Sequence, residues 1–335
     1  MNFYQEDGLI RAQGNYKDQK KIGLWKYFYD NGDLQGISNF KNDEKDGYSE
    51  YFYLNGNSNW KGNYKKNIKD GHWEYFYSQG NINWRGNYNN GLKEGFWEFF
   101  HETGKHQSNG KFTKDKKEGV WNFYYENGVL KTTGSYLNDE KIDLWKFFYT
   151  NGNLNWQGIF LGEKKNGVWE LFFDNGQLNI REHYKNGLKH GLCEFYYIDG
   201  KYQGKGYFDK DKRNGSWEYI YENGICQCRG NYADDIKDGE WYFFFQNGNI
   251  HSKEIYLNGE KTGIWEFFYE TGEIKAKRVY KNNKKEGFWE YFYLNGNLRE
   301  KSSWKGGKLN GRFEIHDLDG KISILEEYEN GEKIR

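Results

Sequence analysis

Aromatic residues and glycines recur every 24 residues along the whole chain. Counting from Gly8, a glycine stands at each of fourteen steps and ends at Gly320; counting from Tyr16, an aromatic residue stands at each of fourteen steps and ends at Tyr328. A single period kept in phase over 335 residues is typical of a repeat array rather than of a globular enzyme. We therefore expect residues 1–335 to form one repeat domain of about fourteen 24-residue units.

Each repeat contains two aromatic-rich runs on either side of a turn signal. In one unit these runs are 73–78 and 81–88, and Gln79-Gly80 lies between them; in eleven of fourteen copies this dipeptide reads Asn-Gly or Asp-Gly. This pattern predicts a β-hairpin with a two-residue type I′ turn, because that turn needs positive φ at both central residues. The polar segments between hairpins, such as 65–71, are predicted to be short loops that join antiparallel neighbours.

A two-residue turn also fixes which residues of a hairpin face each other. It places Glu74 opposite Arg85 and Trp73 opposite Gly86. Seven of thirteen hairpins then carry a Glu facing Lys or Arg at the same site: Glu50–Lys61, Glu74–Arg85, Glu170–Arg181, Glu194–Lys205, Glu218–Arg229, Glu266–Lys277 and Glu290–Lys301. Opposite charges across strands stabilise a sheet, so this recurrence favours the predicted register.

The hairpins predict a sheet with two unlike faces. By the period-2 rule, one face carries Trp73, Tyr75 and Trp84, and the other carries Glu74 and Arg85. The indole of Trp73 is expected to cover the cross-strand glycine of its own hairpin. The predicted fold class is all-β: an elongated antiparallel β-hairpin repeat array of about 28 strands that forms one twisted or grooved sheet.

Composition narrows the classes of partner. The chain has 49 basic and 49 acidic residues, so it lacks the basic excess typical of nucleic-acid-binding proteins. It has no apolar run near the ~20 residues of a membrane helix. Its N-terminus lacks a basic segment followed by a hydrophobic one, so we expect a cytoplasmic protein, with secretion as the alternative. Nucleic acid and membrane are therefore not the expected partners.

Catalytic and metal-ligating patterns are not found. The seven histidines occupy different phases of the repeat and show no ligand spacing: His72, His101, His106, His183, His190, His251 and His316. The recurring Glu already has a basic partner. Cys226-Gln227-Cys228 places two thiols on one strand face, where structural infill is favoured over metal or redox chemistry. We expect no enzyme activity, no metal and no cofactor.

One column of cations recurs at the connection between hairpins. It is basic in twelve of thirteen repeats: Lys21, Lys45, Lys69, Lys93, Lys117, Lys141, Lys165, Lys189, Arg213, Lys237, Lys261 and Lys285. Two interpretations are open. The column could follow an anionic surface or polymer, or it could be a solvated row of loop residues partly neutralised by neighbouring carboxylates, which is the favoured interpretation.

Candidate partner-binding residues come from a position that varies within the constant frame. The sequence Asn-x-Asn-Trp occurs three times and ends at Trp60, Trp84 and Trp156, whereas other repeats have smaller residues such as Ala12, Gly36, Ser108, Thr132 and Ala276 at this position. Tryptophan is enriched at binding hot spots, so these three indoles are the predicted contact residues. The alternative is that they only extend the aromatic layer.

The recurring motif resembles the bacterial MORN-repeat variant family and, more distantly, eukaryotic MORN repeats. It is carried here by the segment 69–77, which reads KDGHWEYFY, by Gly80 and by the segment 86–88, which reads GNY; the resemblance covers essentially the whole chain. Departures are local: Asp143 replaces the glycine before Trp, and Ser49, Cys193 and Phe313 replace Trp. The resemblance implies an elongated sheet used as an interaction platform, and proteins of this family are often catalogued as antitoxins.

Two function hypotheses follow. The first is a non-enzymatic repeat scaffold that binds a protein partner, in an antitoxin-like role or another, and that could self-associate through unpaired terminal strands. The alternative is a carbohydrate or cell-surface binding module that uses its aromatic rows.

Overall fold

A computed structural model describes residues 1–335 and divides them into two compact units, Met1–Lys164 and Lys165–Arg335. Both units consist of β-strands that pair with their sequence neighbours in antiparallel fashion. The predicted all-β hairpin array is therefore confirmed in each unit. Short two-residue strands raise the count to 31 from the predicted 28 or so.

The first unit contains fourteen strands. They are β1 Asn2–Tyr4, β2 Ile10–Lys17, β3 Lys20–Phe28, β4 Leu34–Lys41, β5 Glu44–Phe52, β6 Ser58–Lys65, β7 Ile68–Phe76, β8 Ile82–Asn89, β9 Leu92–Phe100, β10 His106–Thr113, β11 Lys116–Tyr124, β12 Leu130–Leu137, β13 Glu140–Phe148 and β14 Leu154–Leu161.

The second unit contains the remaining strands, and two of its long strands are interrupted at Asn214 and Thr262. The strands are β15 Lys164–Phe172, β16 Leu178–Lys185, β17 Leu188–Tyr196, β18 Tyr202–Asp209, β19 Lys212–Arg213, β20 Gly215–Ile220, β21 Cys226–Ala233, β22 Ile236–Phe244, β23 Ile250–Leu257, β24 Glu260–Lys261, β25 Gly263–Phe268, β26 Ile274–Lys281, β27 Lys284–Phe292, β28 Leu298–Lys305, β29 Lys308–His316, β30 Ile322–Glu329 and β31 Glu332–Lys333.

The predicted register is confirmed, but the predicted turn type is wrong. In the β7–β8 hairpin, Glu74 faces Arg85 as expected. The turn nevertheless has three residues: the Tyr77 N–H donates to the Asn81 carbonyl at 2.8 Å, and only Gly80 has positive φ, 98°. Such a loop is a type I turn closed by a residue in the left-handed region. The extra turn residue shifts the pairing by one place, and a β-bulge between Tyr75 and Phe76 shifts it back.

The type I′ turn occurs instead at the connection between hairpins. Strand β6 ends at Lys65 and β7 begins at Ile68, and the two residues between them, Lys66 and Asn67, have φ of 50° and 64°. The predicted loop 65–71 is therefore wrong, because most of that segment is strand. Positive φ at both turn residues is the I′ signature, and Asn and Asp tolerate it better than most residues.

Hydrogen bonds between successive repeats hold both kinds of turn in line. The Asn67 side-chain oxygen accepts a bond from the Lys45 N–H at 2.7 Å, and the Asn67 N–H donates to the Lys45 carbonyl at 2.9 Å. At the other edge, the Tyr53 hydroxyl donates to the Phe76 carbonyl at 2.8 Å. Both patterns recur within each unit, where they tie neighbouring repeats together at both ends of the strands.

A column of tryptophans at one repeat position, the tryptophan column, packs against glycine at Trp25, Trp73, Trp97, Trp121, Trp145, Trp217 and Trp241, though not against the glycine that was predicted. Trp73 stands opposite Gly86 in the register, yet a Cβ at Gly86 would overlap the indole of Trp97, on the following strand. Trp73 covers Gly62 in the same way. Trp97 is 0% exposed and its Nε1 donates to the Asn87 carbonyl at 3.2 Å. Each indole thus leans onto the preceding hairpin and joins two repeats.

We predict that Gly86→Ala lowers the free energy of unfolding by about 1–3 kcal/mol, because the new methyl group displaces the indole of Trp97. The loss of stability is limited because Trp265 already lies opposite a side chain, that of Glu254, in the register that pairs Lys253 with Glu266. The Trp265 ring lies at 60° to its neighbour Tyr256, whereas Trp97 and Tyr88 are at 87°. Urea unfolding of the full chain measures the effect.

In a chain that already carries Trp97→Ala, the Gly86→Ala change should lower the free energy of unfolding only slightly, because the overlapping ring is gone. Additive costs in the two backgrounds would contradict the packing described here.

Candidate functional site

The aromatic face of the first unit is a row of rings that stand side by side. Trp60 is half-buried and stacks on Tyr51, with ring centroids 4.6 Å apart and planes 16° apart, and on Trp73 at 5.2 Å and 20°. Trp84 stacks on Tyr75 at 5.3 Å and contacts Trp97, also at 5.3 Å. Both indoles therefore have neighbours along their flat faces, and what they present to solvent is the ring edge.

The third candidate residue, Trp156, follows the same pattern. It stacks on Phe147 with centroids 3.3 Å apart and planes 16° apart, and it is half-buried. The structure brings Trp60 and Trp84 into the same row of rings in the first unit. Their role in partner binding stays a prediction.

The cation column lies on this aromatic face, which neither sequence interpretation anticipated. The Lys69 Nζ is 4.3 Å from the centroid of the Trp73 ring and 4.9 Å from that of Tyr88. Burial, together with the nearby Lys93 ammonium group, lowers the pKa of Lys69. A cation over an aromatic face is attracted by the ring quadrupole. These ammonium groups are thus partly engaged with the rings of the sheet.

The opposite face carries a ladder of alternating charges that runs across strands. In the first unit the Lys61 Nζ bonds Glu74 at 2.8 Å, and Arg85 pairs with Glu98. These two contacts join neighbouring hairpins, whereas the pairs predicted from the sequence lie within one hairpin. The ladder therefore stabilises the array between repeats as well as within them.

In the second unit both kinds of contact are present. Arg181 bonds Glu170 at 3.0 Å within its hairpin and Glu194 at 3.3 Å in the next. Tyr242 interrupts the ladder at a position where Glu is usual, and its hydroxyl donates to Glu240 at 2.5 Å. Glu240 thus brings a carboxylate next to the gap.

An exposed apolar column runs beside the ladder, and sequence reasoning missed it. Its members in the first unit stand at the position just before the tryptophan column, with exposed fractions of 44%, 38%, 58%, 61% and 46% at Leu24, Tyr48, Phe96, Val120 and Leu144; His72 takes the same position in one repeat and interrupts the column. They share the ladder face because they lie two residues before its members. The available signal was the recurrence of large apolar residues at a position that the period-2 rule turns away from the aromatic layer.

The side chains considered for metal binding or thiol chemistry lie in surroundings that are typical of structural residues. No three His, Cys, Asp or Glu side chains are grouped so that they could hold a metal ion. Cys193 is buried in the tryptophan column, and burial raises its thiol pKa to about 12. Burial likewise raises the pKa of Cys228 to about 11. Thiols of this kind stay protonated at neutral pH and are poor nucleophiles and metal ligands.

The fold and its two faces define an antiparallel β-repeat scaffold. A family model described as "MORN repeat variant" matches six segments: 21–42, 117–138, 165–186, 237–258, 261–282 and 285–305. The chain belongs to the MORN-repeat family. Each matched segment begins at a member of the cation column and spans one hairpin.

Other comparisons add little. No curated protein matches the chain. Solved structures similar to it are that of TcdB2-TccC3, with TM-score 0.18 and 10% identity, and the Photorhabdus luminescens Tc holotoxin pore with a TccC3 mutation, with TM-score 0.17 and 10% identity. The alignments cover 98% of this chain but only 21% and 23% of those chains. Likenesses at these TM-scores carry no argument. No helix of this chain has the length and apolar character needed to cross a membrane.

Proposed function

We propose that the chain is a non-enzymatic scaffold that binds a protein partner on the ladder face of its first unit. The observation that carries the proposal is the exposed apolar column Leu24, Tyr48, Phe96, Val120 and Leu144. These side chains stand on alternate strands, and polar residues such as Asn39, Asn63 and Lys111 face them on the strands between. Exposed apolar side chains among polar neighbours are typical of protein interaction sites. Here the charge ladder, with Lys61, Glu74, Arg85 and Glu98, supplies that rim.

The absence of catalysis is part of this proposal, and the pairing of the recurring carboxylates supports it. Glu74 bonds Lys61, Glu98 pairs with Arg85, and Glu50 accepts bonds from the hydroxyls of Tyr48 and Ser58 at 2.8 and 2.6 Å. A general acid or base needs a carboxyl group poised for proton transfer rather than held by such partners.

The edges of Trp60, Trp84 and Trp156 form the second contact surface of the proposal, on the aromatic face. The antitoxin cataloguing of resembling proteins makes a toxin one candidate partner, and the cytoplasm is the proposed compartment. Nucleic acid and membrane are not proposed as partners, since the cations lie over aromatic rings or in ion pairs. Self-association through terminal strands such as β1 remains part of the hypothesis.

The carbohydrate-binding alternative has less support than the protein-binding proposal. Sugar rings stack on aromatic faces that are open to solvent. Trp60 has rings against it at 4.6 and 5.2 Å, and Trp84 has rings at 5.3 Å on two sides. Pull-down on wall polysaccharide, with the triple Trp→Ala variant as control, tests this alternative directly.

Replacing Phe96, Val120 and Leu144 together by Ser should reduce capture of the partner from native lysate at least tenfold, because the substitutions remove the apolar centre of the surface. Quantitative mass spectrometry of affinity-purified material, followed by affinity measurement with the purified partner, gives the readout. The triple variant Trp60→Ala, Trp84→Ala, Trp156→Ala is run in parallel to test the aromatic face.

The matched control replaces three equally exposed apolar residues outside the column, Leu54, Leu137 and Leu161, by Ser. It should capture the partner like wild type. Circular dichroism and urea unfolding confirm that all variants keep the fold. Undiminished capture by the Phe96, Val120 and Leu144 variant would contradict the proposed surface, and absence of any specific protein with wild type would contradict the protein-binding function.

A further inference from the structure

One position of the aromatic face varies from repeat to repeat, from a large ring at Trp60 to no side chain at Gly36, and we call it the slot. In the first unit Trp60 and Trp84 occupy it, and each pairs with an aromatic residue on both flanking strands. The Trp60 ring packs on Tyr51 and Trp73, and the Trp84 ring packs on Tyr75 and Trp97. Those flanking residues are two strand spacings apart, roughly 9.6 Å. That distance leaves room for one ring, with about 4.8 Å on either side. The slot is thus shaped for a single inserted aromatic ring.

Where the slot residue is glycine, the flanking rings close over it. Tyr27 and Tyr51 stack at 6.2 Å above Gly36, and a Cβ at Gly36 would overlap the Tyr51 ring. In the second unit Phe195 and Tyr219 stack at 6.3 Å across Gly204. Both glycines are buried. A glycine slot therefore has no remaining space.

At Cys228 the slot is open. Cys228 pairs with Tyr219 on one side and Phe243 on the other, and no ring contact joins those two residues. A cavity of about 510 Å³ lies there, lined by Tyr219, Tyr221, Gln227, Cys228, Phe243, Phe244, Phe245 and His251. Cys228 occupies the position that Trp84 fills six repeats earlier. The equivalent position in another repeat of this chain therefore indicates that an indole fits the site at Cys228.

We propose that the open slot at Cys228 binds a tryptophan side chain of a protein partner, inserted between Tyr219 and Phe243. The inserted indole would lie where the Trp84 ring lies in its own repeat, against Tyr75, the residue equivalent to Tyr219; Trp84 also contacts Trp97. Parallel aromatic rings at such separations attract each other beyond the area that they bury.

The residues around the slot match this ligand. Gln227 is exposed and His251 lies at the rim, so their side chains offer acceptors for the indole N–H. The lining carries no charged Asp, Glu, Lys or Arg side chain, which suits a neutral aromatic ring. This inference rests on the proposed protein-binding function, and it adds a specific aromatic anchor in the second unit.

The test measures binding of N-acetyl-5-fluorotryptophan amide to the full-length protein by fluorine NMR. Wild type is expected to bind the probe with a Kd on the order of 0.1–1 mM, typical of so small a ligand. Cys228→Trp should weaken binding at least tenfold, because the new indole fills the slot as Trp84 does. Cys228→Ala, which keeps the slot open, should bind like wild type.

The matched control is Cys226→Trp, which adds the same indole two residues away on the same strand, outside the cavity lining. It should bind the probe like wild type. If Cys228→Trp fails to fold, Tyr219→Ala replaces it, since removal of one wall should weaken binding comparably. Absence of saturable binding to wild type, equal binding to Cys228→Trp, or displacement of the probe by N-acetyl-leucine amide as readily as by N-acetyl-tryptophan amide would each overturn the proposal.

These outcomes are separable from those of the proposed function. Loss of partner capture in the Phe96, Val120 and Leu144 variant concerns the ladder face of the first unit only. A failed probe experiment with normal partner capture would overturn the slot and leave the scaffold function standing. A chain that binds the probe but captures no partner would contradict the scaffold function and, with it, the protein source of the ring.

Discussion

Trp97→Ala is expected to lower the free energy of unfolding of the first unit by about 3–5 kcal/mol. The indole is 0% exposed, covers Gly86 on the preceding strand, and makes edge contacts with Tyr88 and Phe112 at 5.1 and 5.9 Å. Its removal leaves a cavity between two repeats and an unpaired Asn87 carbonyl. Because each repeat contacts only its neighbours, this loss weakens the interface that couples them. Urea unfolding followed by circular dichroism measures the change.

The control is Trp60→Ala, the same substitution at a half-buried ring of the same face. It should lower the free energy of unfolding clearly less than Trp97→Ala does, because part of the Trp60 indole is already exposed to water. Tyr51 can also lean into the slot, as it does over Gly36. Equal losses for the two variants would show that the tryptophan column does not hold the repeats together in the way described.

Raising the pH from 10 to 12 is expected to unfold the protein. Burial raises the pKa of Tyr27 from 10.0 to about 12, with the nearby Tyr51 as a second cause, and burial also raises the pKa of Tyr48 and Tyr202 to about 12. A folded-state pKa above the unfolded value gives stability that is fully present below pH 10 and is lost as pH rises through 12. Urea midpoints between pH 9 and 12, combined with phenolate absorbance, measure the loss.

Lysines of the cation column change the stability in the opposite direction, and they do so at lower pH than the tyrosines. Burial lowers the pKa of Lys45 and Lys69 below 10.5, so the folded chain gives up these protons before the unfolded chain does. Their contribution to stability rises with pH and is complete near 10.5, whereas the tyrosine contribution continues to fall above it. We therefore expect the free energy of unfolding to decline above about pH 10.5.

The Tyr27→Phe variant isolates the contribution of one tyrosine to the loss of stability at high pH. The fold should accept the change, because phenylalanine already occupies the equivalent position at Phe99, Phe123 and Phe147. The variant should hold its stability to higher pH than wild type. An unchanged alkaline midpoint would show that ionisation of Tyr27 does not contribute to the transition.

Much of the hairpin geometry could be predicted from the sequence. The facing of Glu74 and Arg85 followed from the 24-residue period and recurring charge pairs, and it is confirmed. The turn type was not predicted, because a three-residue turn and a compensating bulge give the same register as a two-residue turn. The pattern of facing residues alone does not distinguish these two solutions.

The candidate sites were only partly predictable. The slot was recognised through Trp60, Trp84 and Trp156, since a large residue stands out at a variable position. Its open form at Cys228 was not, because a small residue there gives a closed slot at Gly204 and an open one at Cys228. Whether the flanking rings meet depends on how they lean, and the sequence of one repeat does not specify this.

The sequence by itself determined the repeat, the antiparallel hairpins, their register and the two unlike faces, because period, turn residues and alternation are local properties of the chain. The tertiary structure decided which glycine each tryptophan covers, where the lysines lie, and which slot stays open. The glycine contact and the open slot depend on contacts between one hairpin and the next: Trp97 lies on Gly86 of the preceding hairpin, a neighbour that no single repeat contains. Lys69 lies over the rings of Trp73 and Tyr88 of its own hairpin, and the direction in which its side chain leans is not set by the 24-residue pattern.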